Sequence, residues 1–308
     1  MALAKRSVEG SYPLPSWMRV FRDVSVVIAA REGSFEKLEG TLRSIFETEA
    51  PWKEVLIVGC GSDAFKLRGL EESFSKVRVI NAGDAEGHGV GNSGYREAQG
   101  TWILSLEQNS VPDINSWEGL CRILSTEPED DVISVSILRH PRENLRQLNR
   151  ASLIDAGIFK QAGFLVRRAS LEKLGFFDDE IPSYASEAHW VARVFAEGGN
   201  VLHCPEACII QEQVDTSRHV TELAFEDCCN QLLLILRYAP AQSWRDQFRR
   251  RLRDILVYTI LHRSTVYLRA HRKALRLWKM YPEKIERLSE MQFRKVSMDW
   301  MTPYGFLG

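Results

Sequence analysis

No run of about eighteen apolar residues without a charge occurs anywhere in this 308-residue chain, so the sequence contains no candidate membrane-spanning helix. The opening segment MALAKRSVEGSYPLPSWMRVF lacks the continuous apolar stretch of a secretory signal, which makes the cytoplasm the expected location. Cysteine is scarce and scattered: Cys60, Cys121, Cys204, Cys208, Cys228 and Cys229 include no CxxC pair. That spacing argues against a zinc module and against a disulfide framework, leaving buried free thiols in a reducing compartment. Excess charge of either sign is also missing. Lys and Arg number 40 and Asp and Glu 41, a formal net charge of -1, so the molecule as a whole is no generic polyanion binder. Internal repeats and low-complexity tracts are absent as well.

What is present is an ordinary globular composition, 44% hydrophobic and 26% charged, in a chain long enough for one domain with an appendage. Val24–Ile28 is a short β-branched run, apolar on both faces as a central parallel strand is. Residues 35–48 place Phe35, Leu38, Leu42, Ile45 and Phe46 on one helical stripe. Strands follow at Glu54–Val58, Val77–Ile80 and Trp102–Leu106, with a glycine-rich helix over about 90–99, and a further helix and strand reach Ile137. This βαβ spacing predicts right-handed crossovers and a mostly parallel sheet. Ligands of such sheets bind beyond the C-terminal strand ends, so residues 30–34, 59–63 and 107–112 are expected on one rim. The second half predicts a helix from Ser186 to Gly198 and short strands at Val201–Cys204 and Cys208–Gln211. Predominantly helical sequence begins at Glu222 and includes 244–279.

Four segments in order, VSVVIAAREGS, EVLIVGCGSD, GNSGYREAQGTWILSLEQNSVP and AGFLVRRASLEKLGFFDDE, together resemble the inverting family 2 glycosyltransferases. The likeness spans roughly residues 22–215. It implies an α/β fold of the GT-A type, Rossmann-like, with a mostly parallel central sheet flanked by helices. Residues 1–215 would form that domain and 216–308 a basic helical extension. It further implies a nucleoside-diphosphate sugar donor, a glycan or lipid-linked acceptor and a divalent cation, Mg or Mn.

Carried over residue by residue, the likeness assigns nucleotide contacts to Ala30, Arg31, Gly59, Asp63, Gly91 and Asn92. Position 59 is an aspartate in the family pattern, and glycine here removes the carboxylate that receives the base; Asp63 is the nearby substitute. The metal motif falls on Glu107 and Asn109, with Gln108 between them. One carboxylate supplies half the negative charge of an aspartate pair, which predicts weak metal binding. The general base falls on Glu187, with His189 as the alternative because its ordinary pKa lies near neutrality. Each residue also has a plainer reading. The glycines permit a tight loop-to-helix turn, Asn92 caps a helix, Glu107 is a solvated loop carboxylate, and Glu187 favours a helix first turn. Two functions therefore stand side by side: a divergent sugar transferase, and a catalytically inactive binding or scaffold protein of the same fold.

The helical tail adds a local asymmetry. Between 244 and 279 eleven lysines and arginines stand against only Asp246 and Asp254. Such helices suit an anionic membrane surface, at the inner face of a membrane, or packing on a partner protein. No stacking platform or reader module accompanies the charge, so nucleic acid is not an expected partner.

Overall fold

A computed structural model describes residues 15–30, 35–126, 132–138, 154–156, 159, 163–182, 186–211, 220–282 and 286–301. A 3-10 helix, Ser16–Asp23, precedes β1 (Val24–Ala29), α1 (Phe35–Glu47), β2 (Glu54–Gly59), α2 (Gly61–Leu67), α3 (Gly69–Ser73) and β3 (Val77–Asn81). Then come α4 (His88–Glu97), β4 (Trp102–Glu107), β5 (Ser110–Asp113), α5 (Glu118–Leu124) and β6 (Val132–Leu138). The second half comprises β7 (Ile154–Asp155), β8 (Gly163–Arg167), α6 (Arg168–Leu174), α7 (Glu187–Ala196) and β9 (Val201–Gln211). Four helices end the chain: α8 (Val220–Tyr238), α9 (Trp244–Leu261), α10 (Val266–Met280) and α11 (Glu290–Met301).

The strands form one 9-stranded sheet in the order β3-β2-β1-β4-β8-β6-β9-β5, with β7 pairing β9. Six of the nine, β1 to β4 with β6 and β9, point the same way, as the βαβ spacing predicts. The interruption is β8, antiparallel to both neighbours. The two short strands expected around Cys204 and Cys208 are one strand, β9, with a register shift. Val135 pairs with Cys204 and Ser136 with Cys208, so Pro205, Glu206 and Ala207 bulge out. Proline lacks the N–H that the ladder would use, which accounts for the break in the strand pattern.

Alternation along β1, β2 and β4 sends side chains to opposite faces of the sheet. Val26, Ile28, Val55, Ile57 and Leu104 pack with Leu38, Leu42 and Ile45 of α1, and with Trp117 and Leu120. Val27, Leu56, Val58 and Ile103 pack on the other side with Tyr95 of α4, Trp190 and Val194 of α7, and Leu234 and Ile235 of α8. Packing is thus continuous across the expected boundary at residue 215. The opposite side of α8, with Cys229, Leu232 and Leu236, buries Ile255 of α9 and Ala270, Ala274 and Leu277 of α10. Two buried sides explain the unbroken LLLIL run in α8. The stretch 244–279 is two helices separated at His262–Thr265, where Arg263 adopts a left-handed φ of 47°. Five of the six cysteines are buried, and Cys60, half-buried, donates its thiol to the Ala85 carbonyl at 3.1 Å. No helix among the described residues is long and apolar enough to cross a membrane.

Candidate active site

Strand register puts the ends of β1, β2 and β4 level. Ala29 lies opposite both Val58 and Glu107, and Gly59 lies opposite Asn81 of β3. The rim expected from sequence therefore brings together Ala30, Gly59 and Glu107. Ala30 is half-buried and its N–H donates to the Val58 carbonyl at 2.9 Å. Arg31 lies outside the described residues, and Asp63 falls in α2 with its side chain outside them.

At Gly59 the structure supplies a reason for the missing carboxylate. A Cβ there would lie 2.7 Å from Leu67 Cδ1 and 3.2 Å from the Ala64 Cα, so α2 occupies the space a side chain would need. The adjoining loops are stitched by Ala82 N–H to the Gly59 carbonyl, 2.9 Å, and Gly61 N–H to the Gly83 carbonyl, 3.0 Å. Gly61 and Gly83 both have positive φ, 49° and 64°, a conformation that favours glycine.

Helix α4 packs on the face of β1 and β2. Its Gly94 is a packing glycine, since a Cβ would sit 2.5 Å from Val27 Cγ1 and 2.6 Å from Val58 Cγ2. Gly91 is half-buried, and a Cβ there would meet Tyr95 Oη at 3.3 Å. Asn92, a sequence candidate for ligand contact, is fully buried and committed elsewhere. Its Nδ2 donates to the Phe177 carbonyl at 2.8 Å and to Asp179 Oδ1 at 2.7 Å, while its Oδ1 accepts from Phe177 N–H at 3.2 Å. Asn92 thus clasps α4 to the segment after α6, and a ligand-contacting role does not fit its burial.

Glu107 is half-buried, and its Oε2 accepts from Gln211 Nε2 at 2.8 Å. Asn109 sits in the two-residue turn between β4 and β5, where Thr41 Oγ1 donates to the neighbouring Gln108 carbonyl at 2.8 Å. Among the described residues no group of three or more His, Cys, Asp or Glu converges as a metal cage. One carboxylate and one amide suit a hydrated cation that shares its shell with a phosphate ligand, and they do not form a closed site.

Glu187 opens α7 and is half-buried. Ser186, immediately before it, is buried with Oγ 2.5 Å from His88 Nε2, and the His88 ring stacks on Phe177. Tyr95 faces the same region: its hydroxyl is 2.7 Å from Ser105 Oγ of β4, and burial pushes its pKa up to about 12, with the Glu187 charge adding to the rise. The start of α7, which carries Glu187, is thereby joined to α4. Sequence reading did not single out Tyr95 or Ser105, and a lone tyrosine in a glycine-rich helix was the available signal.

His189 goes the other way. Two residues apart on an α-helix is about 200°, which turns His189 to the face opposite Glu187. It is 1% exposed, with Nε2 3.2 Å from the Asn230 carbonyl and its ring edge-on to Tyr238. Burial first, then the Arg237 charge, lower its pKa to about 3. It is a neutral core residue, and the alternative base role does not fit. Arg193 also faces the core: it donates to the Leu174 and Phe176 carbonyls at 3.2 and 2.6 Å and lies 3.8 Å from Asp178.

Neither the models of known protein families nor the curated protein sequences match this chain. Solved structures do. GalNAc-T7 with UDP, GalNAc and Mn2+ aligns at TM-score 0.61 and 12% identity, covering 90% of this chain and 57% of that one. The mannosyltransferase PcManGT from Pyrobaculum calidifontis, in complex with GDP-Man and Mn2+, aligns at 0.52 and 15%, covering 90% and 83%. S. aureus TarS 1-349 in complex with UDP-GlcNAc aligns at 0.51 and 13%, covering 70% and 66%. The fold is GT-A. In this GT-A chain the first four parallel strands build the rim, and α7 and α8 pack with α4 on one face of the sheet. The chain spans less than two thirds of the GalNAc-T7 and TarS chains it matches.

Proposed function

We propose that this chain transfers a sugar from a nucleoside-diphosphate sugar to a hydroxyl of a glycan or lipid-linked acceptor, with inversion, in polysaccharide biosynthesis. Two observations support the reading: the strand register levels the ends that carry Ala30, Gly59 and Glu107, and Glu187 at the start of α7 acts electrostatically on Tyr95 of α4. The solved GT-A neighbours holding nucleotides or nucleotide-sugars add support for the donor class.

The nucleotide would lie along Ala30, Gly59 and Gly91, with Arg31 and Asp63 as the nearest side chains in sequence. Because Gly59 carries no carboxylate, base recognition would fall to backbone groups and to those two neighbours. Glu187 would take the acceptor hydroxyl proton as the oxygen bonds to the anomeric carbon and the bond to the diphosphate breaks on the opposite face. Glu107 and Asn109 would hold Mg or Mn weakly, and that cation would offset charge on the leaving diphosphate.

A second reading, an inactive scaffold, is favoured by the Glu107–Gln211 hydrogen bond and by the filled space at Gly59. Titration of UDP-, GDP- and dTDP-sugars with and without Mn2+, followed by donor hydrolysis, separates the two. Saturable binding with turnover is the expected result. Absence of binding for all three nucleotides would leave the scaffold.

A further inference from the structure

The outward face of α9 changes character along its length. Helical spacing puts Arg249, Arg250 and Arg253 on the same side as Leu256, Val257, Ile260 and Leu261, with the cations first, Arg249 paired to Asp246 and Arg253 beside Asp254, and the apolar residues in the last turn and a half. The inner face carries Ile255, which is fully buried. The apolar residues are strongly exposed: Leu256 50%, Val257 44%, Ile260 75% and Leu261 69%. They account for four of the seven exposed large hydrophobic residues among the described residues, and all four lie beside the α9–α10 elbow.

The elbow has two further features. Tyr258, His262 and Tyr267 group there with ring centroids 5.7 to 6.1 Å apart. Arg263, with its left-handed φ, and Arg269 are exposed on and just after the turn. Cations, protruding aliphatic side chains and tyrosines at one helical tip match the layers of a bilayer surface: anionic headgroups, upper acyl region and the aromatic level between them.

We infer that the α9–α10 elbow docks this protein on an anionic phospholipid surface, inserting Leu256, Val257, Ile260 and Leu261 while Arg249, Arg250, Arg253 and Arg263 hold headgroup phosphates. Charge complementarity points to this occupant: Arg249, Arg250, Arg253 and Arg263 outnumber Asp246 and Asp254, which pair with Arg249 and Arg253, so the face keeps a net positive charge that an anionic surface meets and a second copy of the same face does not. The docking is independent of the sugar-transfer chemistry, and its test does not use that activity.

The test is sedimentation of the full chain with vesicles of phosphatidylcholine alone, and with vesicles containing about one third phosphatidylglycerol. Binding is expected only to the anionic vesicles and weakens as salt is raised. I260S/L261S should lower the partition coefficient at least about tenfold. R249Q/R250Q/R253Q should lower it about 100-fold. All five residues are exposed, so both variants should keep the wild-type melting temperature, which thermal denaturation checks. Equal binding to both vesicle types, no vesicle binding, or binding unchanged in I260S/L261S would overturn the inference. So would a concentration-dependent dimer in ultracentrifugation that is lost in I260S/L261S while vesicle binding persists.

Discussion

Arg237 Nη1 donates to Asp178 Oδ2 at 2.9 Å, with the arginine side chain wholly buried and the aspartate nearly so. Arg237 lies near the end of α8, and Asp178 lies in the segment after α6, so one ion pair ties the C-terminal helices to the GT-A half. Arg193 Nη1 stands 3.8 Å from the other oxygen of the same carboxylate. Two burying helices therefore share one anion. Removing a single partner would strand a charge in the core. R237L and D178N should each lower unfolding free energy by about 3–5 kcal/mol. Combined, they should lose clearly less than the sum of the two, measured as a double-mutant cycle in urea. Additive losses would mean that the pair is not coupled.

The opposite faces of α7 give a test of which titratable group belongs to the cleft. E187Q should reduce turnover about 100-fold to 10,000-fold, the range for loss of a general base, with little change in melting temperature because Glu187 is half-buried at a helix start. H189Q should do the reverse, lowering stability while the folded fraction retains activity. Donor consumption per folded molecule distinguishes them. Equal activity in E187Q and wild type would remove residue 187 from the chemistry.

Much of this was legible from periodicity. The apolar runs and the helical stripe at Leu38, Leu42 and Ile45 predict β1, α1 and β2, and their order predicts the parallel rim. The separation of Glu187 from His189 was also available, since an offset of two cannot share a helix face, but motif spacing alone does not apply helical geometry. Asn92 and Gly94 were hidden for another reason. A polar residue in a glycine-rich helix reads equally well as a ligand contact or an internal clasp, and only the position of Phe177 and Asp179 decides. Arg237 was invisible within LLLILRY, because its partner is distant in sequence. Helix α11 shows itself in sequence only through Phe293 and Val296 at an i, i+3 spacing, and both bury against the second core.

Gly59 is where family pattern and packing conflict, so restoring the pattern is informative. G59D would place a side chain against Leu67 Cδ1 and the Ala64 backbone. Overpacking of this kind costs about 1–3 kcal/mol. The expected outcome is a destabilised protein with no gain in nucleotide affinity. Pairing G59D with L67A should recover part of the stability, because the nearest clashing atom is then gone. Calorimetric unfolding and nucleotide titration of both variants check this, and a stable G59D that binds uridine nucleotides more tightly would contradict it.

The buried imidazole of His189 should leave a signature in acid. Its folded pKa is lowered to about 3 by burial and by Arg237, whereas an unfolded histidine titrates near 6.5. Below the unfolded value the unfolded chain takes up the proton and the folded chain does not. Stability from this group is therefore complete above about pH 6.5 and drains away as pH falls toward the folded pKa. Between pH 7 and pH 5 the loss is about 2 kcal/mol. Glu286 works in the opposite sense, since burial raises its carboxyl pKa, but it is present in wild type and variant alike and cancels in a comparison. H189Q cannot take up that proton, so its stability should fall less than that of wild type over the same interval, whatever its absolute stability. Urea midpoints at the two pH values measure the difference, and parallel losses in both proteins would show that His189 is not held neutral in the folded core.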